Sequence, residues 1–506
     1  MDSVDRHPLE WDVSFDGGDL DCGNGLLLQI RQHMDPLERG QLLEFRSTEL
    51  SVEEDFPAWC RLTGNELVSL VRKGKERSFL VCKGTLAERA ARRPAARAPT
   101  PISRGVVAVS IPRELPAPAP APIIPPLAVM GIGSWPRPRW MLQAIHEHLE
   151  GRLSDAEFQT TADDAVRLAV QAQLRAGVDI VTDGEQRRDN YASFVGGLLD
   201  NCQLIPLTDL LPLVDDPAKF EAEMRSLDVP AAEVRHPAVF GPLGRGLPLA
   251  VHELEFVRTL TDRPGKVALP GPYLLTRTMW MECISDRAYR SREHLAEDVV
   301  RVLREELHFL LAAGVALVQL DEPVLSEVVF TGAKNTRSFM CGALSERGDP
   351  KQELEFARRL INQAVAGLPR PRLALHICRG NWTRDERAAL AGDYRPLLPL
   401  LQQVEIGTFL LELCTPRAGE LEVLTDLPTW CRVGIGVVNQ KHDRVEPVEE
   451  ITAQGRRAIA LFGAERVVLT PDCGFATFAD NPVASPHVAE AKLRAIVRAA
   501  QVLRAG

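Results

Sequence analysis

No stretch of this chain is apolar for long enough to cross a bilayer. The longest strongly apolar run, Phe309 to Leu320, carries Gln319 and falls far short of the roughly 20 residues a spanning helix needs. The opening Met1-Asp2-Ser3-Val4-Asp5-Arg6 has acidic residues and no apolar run behind it, unlike a secretory signal, so the expected location is the cytoplasm. Basic residues are not in excess either. Lys plus Arg number 59 against 69 Asp plus Glu, a net charge of −10, which removes the general electrostatic footprint of a nucleic-acid binder and leaves a small molecule as the expected ligand. Cysteine is sparse: Cys22, Cys60, Cys82, Cys202, Cys283, Cys341, Cys378, Cys414, Cys431 and Cys473, scattered over 506 residues, make no dense disulfide framework. A reducing compartment keeps them as thiols, most of them core packing.

What is present is an ordinary globular composition, 45% hydrophobic and 25% charged, in a chain whose length favours more than one domain. Between about Thr85 and Pro126 the composition shifts to Ala, Arg and Pro, ending in alternating prolines from Pro116 to Pro122. Such a run forms neither helix nor ladder and reads as a semi-rigid linker, with one stray strand at Gly105–Ser110. The expected division is therefore a small unit at 1–84, a linker at 85–126 and a large unit at 127–506. In the first, strands are expected around Trp11–Phe15, Gln41–Arg46, Leu67–Val71 and Ser78–Lys83, with helices at Leu26–Met34 and Asp55–Thr63, a two-layer α/β unit.

The large unit has eight apolar runs separated by helical patterns or insertions: Val129–Ile132, Val178–Thr182, Lys266–Leu269, Ala316–Leu320, Leu373–Leu375, Thr408–Leu411, Arg432–Ile435 and Val467–Thr470. Ser154-Asp155-Ala156-Glu157 is a capping box opening a long amphipathic helix that Gly177 closes. Eight strands alternating with helices predict an α/β fold of the (β/α)8 TIM-barrel type with insertions, a doubly wound open sheet being the competing arrangement.

Each run stops at chemically distinctive residues: Gly133-Ser134, Asp183-Gly184-Glu185, Gly271-Pro272, Asp321-Glu322, His376-x-Cys378, Glu412, Asn439-Gln440-Lys441 and Cys473. Strand C-termini of a barrel converge on one mouth, so residues more than 300 apart in sequence can share one ligand. His376 and Cys378, two apart in an extended segment, leave it on the same face. With Glu412 and Cys473 they read as a zinc site, imidazole and thiolate being good zinc ligands and an exchangeable position serving to activate a thiol. The competing reading makes both cysteines buried packing and His376 a satisfied core histidine. The acidic pairs at Asp183/Glu185 and Asp321/Glu322 suit an ammonium group, or are solvated loop charges.

On these motifs the segment from about Pro126 to Ala505 resembles the C-terminal barrel of cobalamin-independent methionine synthase, in the uroporphyrinogen decarboxylase and methionine synthase superfamily. The resemblance implies that His376, Cys378, Glu412 and Cys473 bind zinc. It further implies that Ile132-Gly133-Ser134 holds the carboxylate of homocysteine, and that Glu185 and Asp321 hold its ammonium. A metal-activated thiolate would then attack an electrophilic methyl or alkyl carbon. This sequence departs from the family in three places. The further barrel that helps hold a folate polyglutamate has no counterpart of sufficient length here. Thr278 stands where the family has Trp, with Trp280 nearby. Lys441, beside His442, aligns with the family's acid-base His, and Asn439 with its Asp; Lys441 or His442 is the candidate proton donor. The methyl donor is expected to be a methylated corrinoid protein or a folate, and the thiol alkylation of epoxyalkane:coenzyme M transferases is a related alternative.

Residues from about Trp11 to Lys83 resemble TusA-type sulfur carriers, through Leu20-Asp21-Cys22 and the stretch Glu54–Gly64. Cys22-Gly23-Asn24-Gly25 lacks the prolines of the carriers' Cys-Pro-x-Pro motif. A cysteine just before a helix N-terminus gains thiolate character, so Cys22 is expected either to carry sulfur, with a sulfurtransferase as partner, or to belong to a unit used only for docking. A non-catalytic sulfur-trafficking or metal-holding scaffold is the competing class of function, and a decarboxylase the third.

Overall fold

The computed structural model describes residues 6–91, 109–206, 209, 235–281, 285–286, 288–330, 348–381, 383–478 and 481–506. The front unit runs β1 (Val13–Asp16), a wide helical turn at Cys22–Leu26, a helix at Leu27–Met34, β2 (Leu42–Ser47), a helix at Val52–Leu62, β3 (Glu66–Lys73) and β4 (Glu76–Cys82). The elements are those expected from the sequence, with ends shifted by a few residues. Sheet order is β1-β2-β4-β3, with β1 parallel to β2 across the first helix and the other pairs antiparallel. Both helices cover the same face. Leu27, Ile30 and Met34 from one and Phe56 and Trp59 from the other enclose Phe45 and Phe79 of the sheet, whose rings stack at 4.8 Å.

The large unit is built on six parallel strands, β7 (Lys266–Pro270), β8 (Leu317–Asp321), β9 (Leu373–Ile377), β10 (Thr408–Leu411), β11 (Arg432–Val438) and β12 (Val467–Pro471), ordered in sequence across the sheet. An antiparallel hairpin, β5 (Asp200–Pro206) and β6 (Arg235–Gly244), lies in the long insertion ahead of them. The two other expected strands, at Val129–Ile132 and Val178–Thr182, contribute single parallel bridges: Val129 with Leu469, Met130 with Ile180, and Val181 with Gly265. Side chains take the backbone groups that longer ladders would use. Asp179 accepts from the Val129 N–H at 2.8 Å, Gln173 binds both the N–H and the carbonyl of Thr182, and Lys266 donates to the Ile132 carbonyl at 2.6 Å.

Strand alternation sorts the side chains into two shells. Val267, Leu269, Val318, Leu320, Leu375, Phe409, Val433 and Leu469 face the surrounding helices. Ala128, Met130, Ile132, Ile180, Leu317, Ala374, Leu410 and Val468 form a separate inner cluster, to which non-adjacent strands contribute together. The predicted capping box is present: Ser154 Oγ accepts from the Glu157 N–H, and the helix Asp155–Ala176 ends at Gly177, whose φ of 88° belongs to the left-handed region glycine adopts without strain.

The proline run packs along the large unit. Arg372 donates to the Ala119 carbonyl at 2.7 Å, and the Ala119 N–H donates to the Leu311 carbonyl at 3.0 Å. Most of the expected stray strand, residues 105–108, lies outside the described residues. The front unit meets the hairpin: Arg31 pairs with Asp209 at 2.6 Å, and Gln203 donates to the Arg31 carbonyl at 3.0 Å. Among the described residues no helix is long and apolar enough to cross a membrane.

Candidate metal centre and its cavity

The strand ends bring three potential metal ligands together. One donor atom each from Cys378, Glu412 and Cys473 lies within 4.8 Å of the others, although the residues follow β9, β10 and β12. Backbone ties fix this meeting. Asp472, next to Cys473, accepts from the N–H groups of Leu413 and Cys414 at 2.8 and 2.9 Å, which binds the end of β12 to the residues after Glu412. Glu412 Oε1 accepts from the Arg379 N–H at 2.9 Å, which binds the end of β10 to the residue after Cys378, and its Oε2 pairs with Arg417 at 3.0 Å. The Cys473 thiol is pushed well above its ordinary value. Its hydrogen bond with Cys378 and its burial are the largest causes, followed by the charges of Cys378 and Glu412. Soft, negatively charging donors packed this closely suit a cation.

His376 is outside the 4.8 Å group but borders the same cavity. Its Nδ1 is 2.8 Å from Asp321 Oδ1, and its Nε2 is buried without a hydrogen-bond partner. An unpartnered buried ring nitrogen beside two thiols is what a further metal ligand requires, with the carboxylate on the opposite nitrogen orienting the ring. Asp321, expected as an ammonium ligand, is thus already engaged by His376.

The cavity is lined by Ile132, Ser134, Glu185, Tyr191, Asp321, Pro323, His376, Cys378, Asn381, Cys473 and Gly474. Of the residues expected to share one mouth, Ile132, Ser134, Glu185, Asp321, His376, Cys378 and Cys473 line it together. Glu185 has a φ of 55° in the left-handed region, costly for a non-glycine residue, and its N–H is held by Asp183 at 3.0 Å. Burial pushes its carboxyl up to about 7, against the nearby Arg188 charge. Gly133 leaves room for that carboxylate, since a Cβ there would collide with it. Ser134 accepts the N–H of Phe475 on its carbonyl and that of Ala476 on its Oγ, which ties it to the loop after Cys473.

Five expected residues do not border this cavity: Gly133 and Glu412, which lie next to lining residues or donor partners, and Lys441, His442 and Cys22. Lys441 is buried with its ammonium on the carbonyls of Gly380 and Thr383, at 2.7 and 2.8 Å. His442 is exposed near Glu386, in an outer crevice of about 800 Å³. Cys22 belongs to the front unit and lines the crevice between it and the hairpin. The expected thiolate character of Cys22 is reversed: burial, then Asp55 and Asp21, push its thiol up to about 12. Tyr191 and Asn381 were not singled out from the sequence. Their only signals are proximity to the Gly184–Asp189 segment and to Cys378.

A family model described as "Cobalamin-independent synthase, Catalytic domain" matches residues 127–502. Methionine synthase from Saccharolobus solfataricus is 26% identical over 382 residues, covering 75% of this chain and 96% of that protein. Methionine synthase from Sulfurisphaera tokodaii is 26% identical over 353 residues, covering 69% and 86%. Among solved structures, a B12-independent methionine synthase from Shewanella sp. W3-18-1 in complex with selenomethionine matches with a TM-score of 0.57 and 25% identity, over 75% of this chain and 98% of that one.

Proposed function

Because this chain belongs to the cobalamin-independent synthase catalytic-domain family and is a methyltransferase, we propose that it methylates the sulfur of homocysteine to give methionine. The observation that carries the reading is the meeting of Cys378, Glu412 and Cys473 beside the unpartnered His376 Nε2. In this proposal the four hold zinc, whose chemistry when bound is to favour a thiolate at neutral pH. Two thiols, an imidazole and a carboxylate are donors zinc accepts. Ile132, Gly133 and Ser134 receive the substrate carboxylate, while Glu185 and Asp321 give the cavity the negative charge an ammonium needs. The pocket would orient the sulfur toward the donor methyl, so proximity supplies much of the rate. The single bridges support closure of the six strands into a (β/α)8 ring over residues 127–506.

The donor side is proposed to be the outer crevice, where exposed His442 is available to protonate a leaving group and Lys441 braces the loop beneath. A methylated corrinoid protein, a folate and a simple methyl sulfonium are the donors to compare. Metal-loaded protein is incubated with homocysteine and each donor in turn; methionine from one of them is expected, and none from any would overturn the assignment.

Ammonium binding should depend on pH. Glu185 attracts an ammonium only when ionised, and with its carboxyl near 7 the ionised fraction falls about ten-fold per unit on the acid side. The KM for homocysteine is therefore expected to rise about ten-fold between pH 8 and pH 6, and Glu185→Gln to flatten that dependence while raising KM throughout.

For the front unit, residues 1–84, we propose a TusA-like module joined by the 85–126 linker and used for docking, with a sulfurtransferase as a fitting partner. The buried, poorly acidic Cys22 supports docking over persulfide transfer. Cys22→Ser is expected to leave the rate of methionine formation within about two-fold in a steady-state assay, because Cys22 packs in the core of the front unit and does not border the cavity; a ten-fold loss would restore the sulfur-carrying reading.

A further inference from the structure

One charged side chain lies in the inner shell of the strands with no part in the reaction so far. Lys266, on β7, is buried and donates from Nζ to two acceptors, the Ile132 carbonyl and Gln319 Oε1, each at 2.6 Å. Gln319, on β8 and fully buried, passes the contact on: its Nε2 donates to Asp321 Oδ1 at 2.7 Å, and the same oxygen lies 2.8 Å from His376 Nδ1. An unbroken hydrogen-bonded path thus joins the segment before Gly133 to the histidine at the metal centre.

The polarity of the path follows from donor chemistry. The atom of Gln319 facing Lys266 Nζ is Oε1, as an ammonium requires, having protons to give and, while charged, no lone pair to accept with; burial lowers that ammonium to about 7, against the charges of Asp321 and Glu185. Gln319 then presents its NH2 to Asp321, whose Oδ1 is an acceptor. His376 Nδ1, facing that acceptor, must carry the ring proton, which leaves a lone pair on Nε2, the nitrogen without a partner. We propose that Lys266 is a positioning residue that, through Gln319 and Asp321, fixes the tautomer of His376 that a metal can use, while its second hydrogen bond holds the Ile132 end of the substrate segment. Without the ammonium, the Gln319 amide can turn over and Asp321 loses a donor. The two halves of the cavity, substrate wall and metal ligand, are then no longer tied to one cation. The purpose assigned to the tautomer rests on the metal reading above; the tautomer itself does not.

The test uses the full chain with Lys266→Met and Gln319→Leu, singly and together, with folding checked by thermal denaturation. Nitrogen-15 NMR of the histidine rings, with His376 assigned by its loss in His376→Gln, reads the tautomer without any metal. A single Nδ1–H form is expected in the parent and a mixture in each variant. Zinc affinity by competition with a chelator is expected to fall 10–100-fold in each single variant, the range for groups that orient a ligand, and no further in the double variant, since both lie on one path. Should Lys266→Met fail to fold, Gln319→Leu decides, because it cuts the path while leaving Lys266 on the Ile132 carbonyl. Folded variants with the parent's His376 tautomer, or with zinc affinity within two-fold of a zinc-binding parent, overturn the proposal. A parent that binds no zinc overturns the metal reading instead, and the NMR result alone then decides the path.

Discussion

Cys378→Ser and Cys473→Ser are each expected to lose bound zinc on purification and to form no measurable methionine. The two sulfurs meet Glu412 within 4.8 Å, and serine keeps the shape of the side chain while replacing a soft, ionisable donor with a hard hydroxyl that stays protonated near neutral pH. On the proposed zinc reading each cysteine is a direct ligand, so its removal should exceed the 10–100-fold loss of metal affinity typical of groups that only orient one. Metal content by elemental analysis and product by mass spectrometry check both parts. Cys414→Ser is the control. Cys414 is only two residues beyond Glu412, but it is outside the donor group, and burial with the charges of Asp472 and Glu446 raises its thiol. It is expected to keep its metal, and loss there would point to general disruption of the strand ends.

The second large effect concerns stability. Arg245 and Glu306 form an ion pair with both side chains fully buried, and Glu306 Oε1 also accepts the N–H groups of Ala250 and Val251, each at 2.7 Å, at the start of the helix Val251–Leu260. Glu306→Ala leaves a guanidinium buried without its carboxylate and two helix N–H groups without their acceptor. Breaking a buried pair from one side costs about 3–5 kcal/mol, so Glu306→Ala should lower the urea midpoint and Tm markedly. Glu306→Gln, which keeps an acceptor but no charge, should fall between it and the parent. A Glu306→Ala midpoint equal to the parent's would show that the pair adds nothing to the fold.

Much of the site was legible because strand C-termini can be found from where apolar runs stop. Ser134, Glu185, Asp321, His376, Cys378 and Cys473 were all marked at such stops, and all border one cavity. Partnerships were less legible. Asp321 reads from sequence as an ammonium ligand, but the parallel register of β8 and β9 sets it beside His376, a pairing that depends on which strands neighbour each other. Lys441 aligns with an acid-base position, yet its carbonyl partners come from the loop after β9, some 60 residues earlier. The reversal at Cys22 has the same origin: the helix start before which it sits was visible, whereas the burial and the carboxylate of Asp55 that oppose ionisation come from packing.

The sequence by itself determined the alternation of strand and helix and the residue types available at each strand end, because apolar periodicity and turn chemistry are local. Only the tertiary structure decided which of those residues touch, that two expected strands shorten to single bridges when Asp179, Gln173 and Lys266 take their backbone groups, and that a buried lysine is linked through Gln319 and Asp321 to His376. Hydrogen-bond partners and burial are set by chain segments tens to hundreds of residues apart, and no local pattern encodes them.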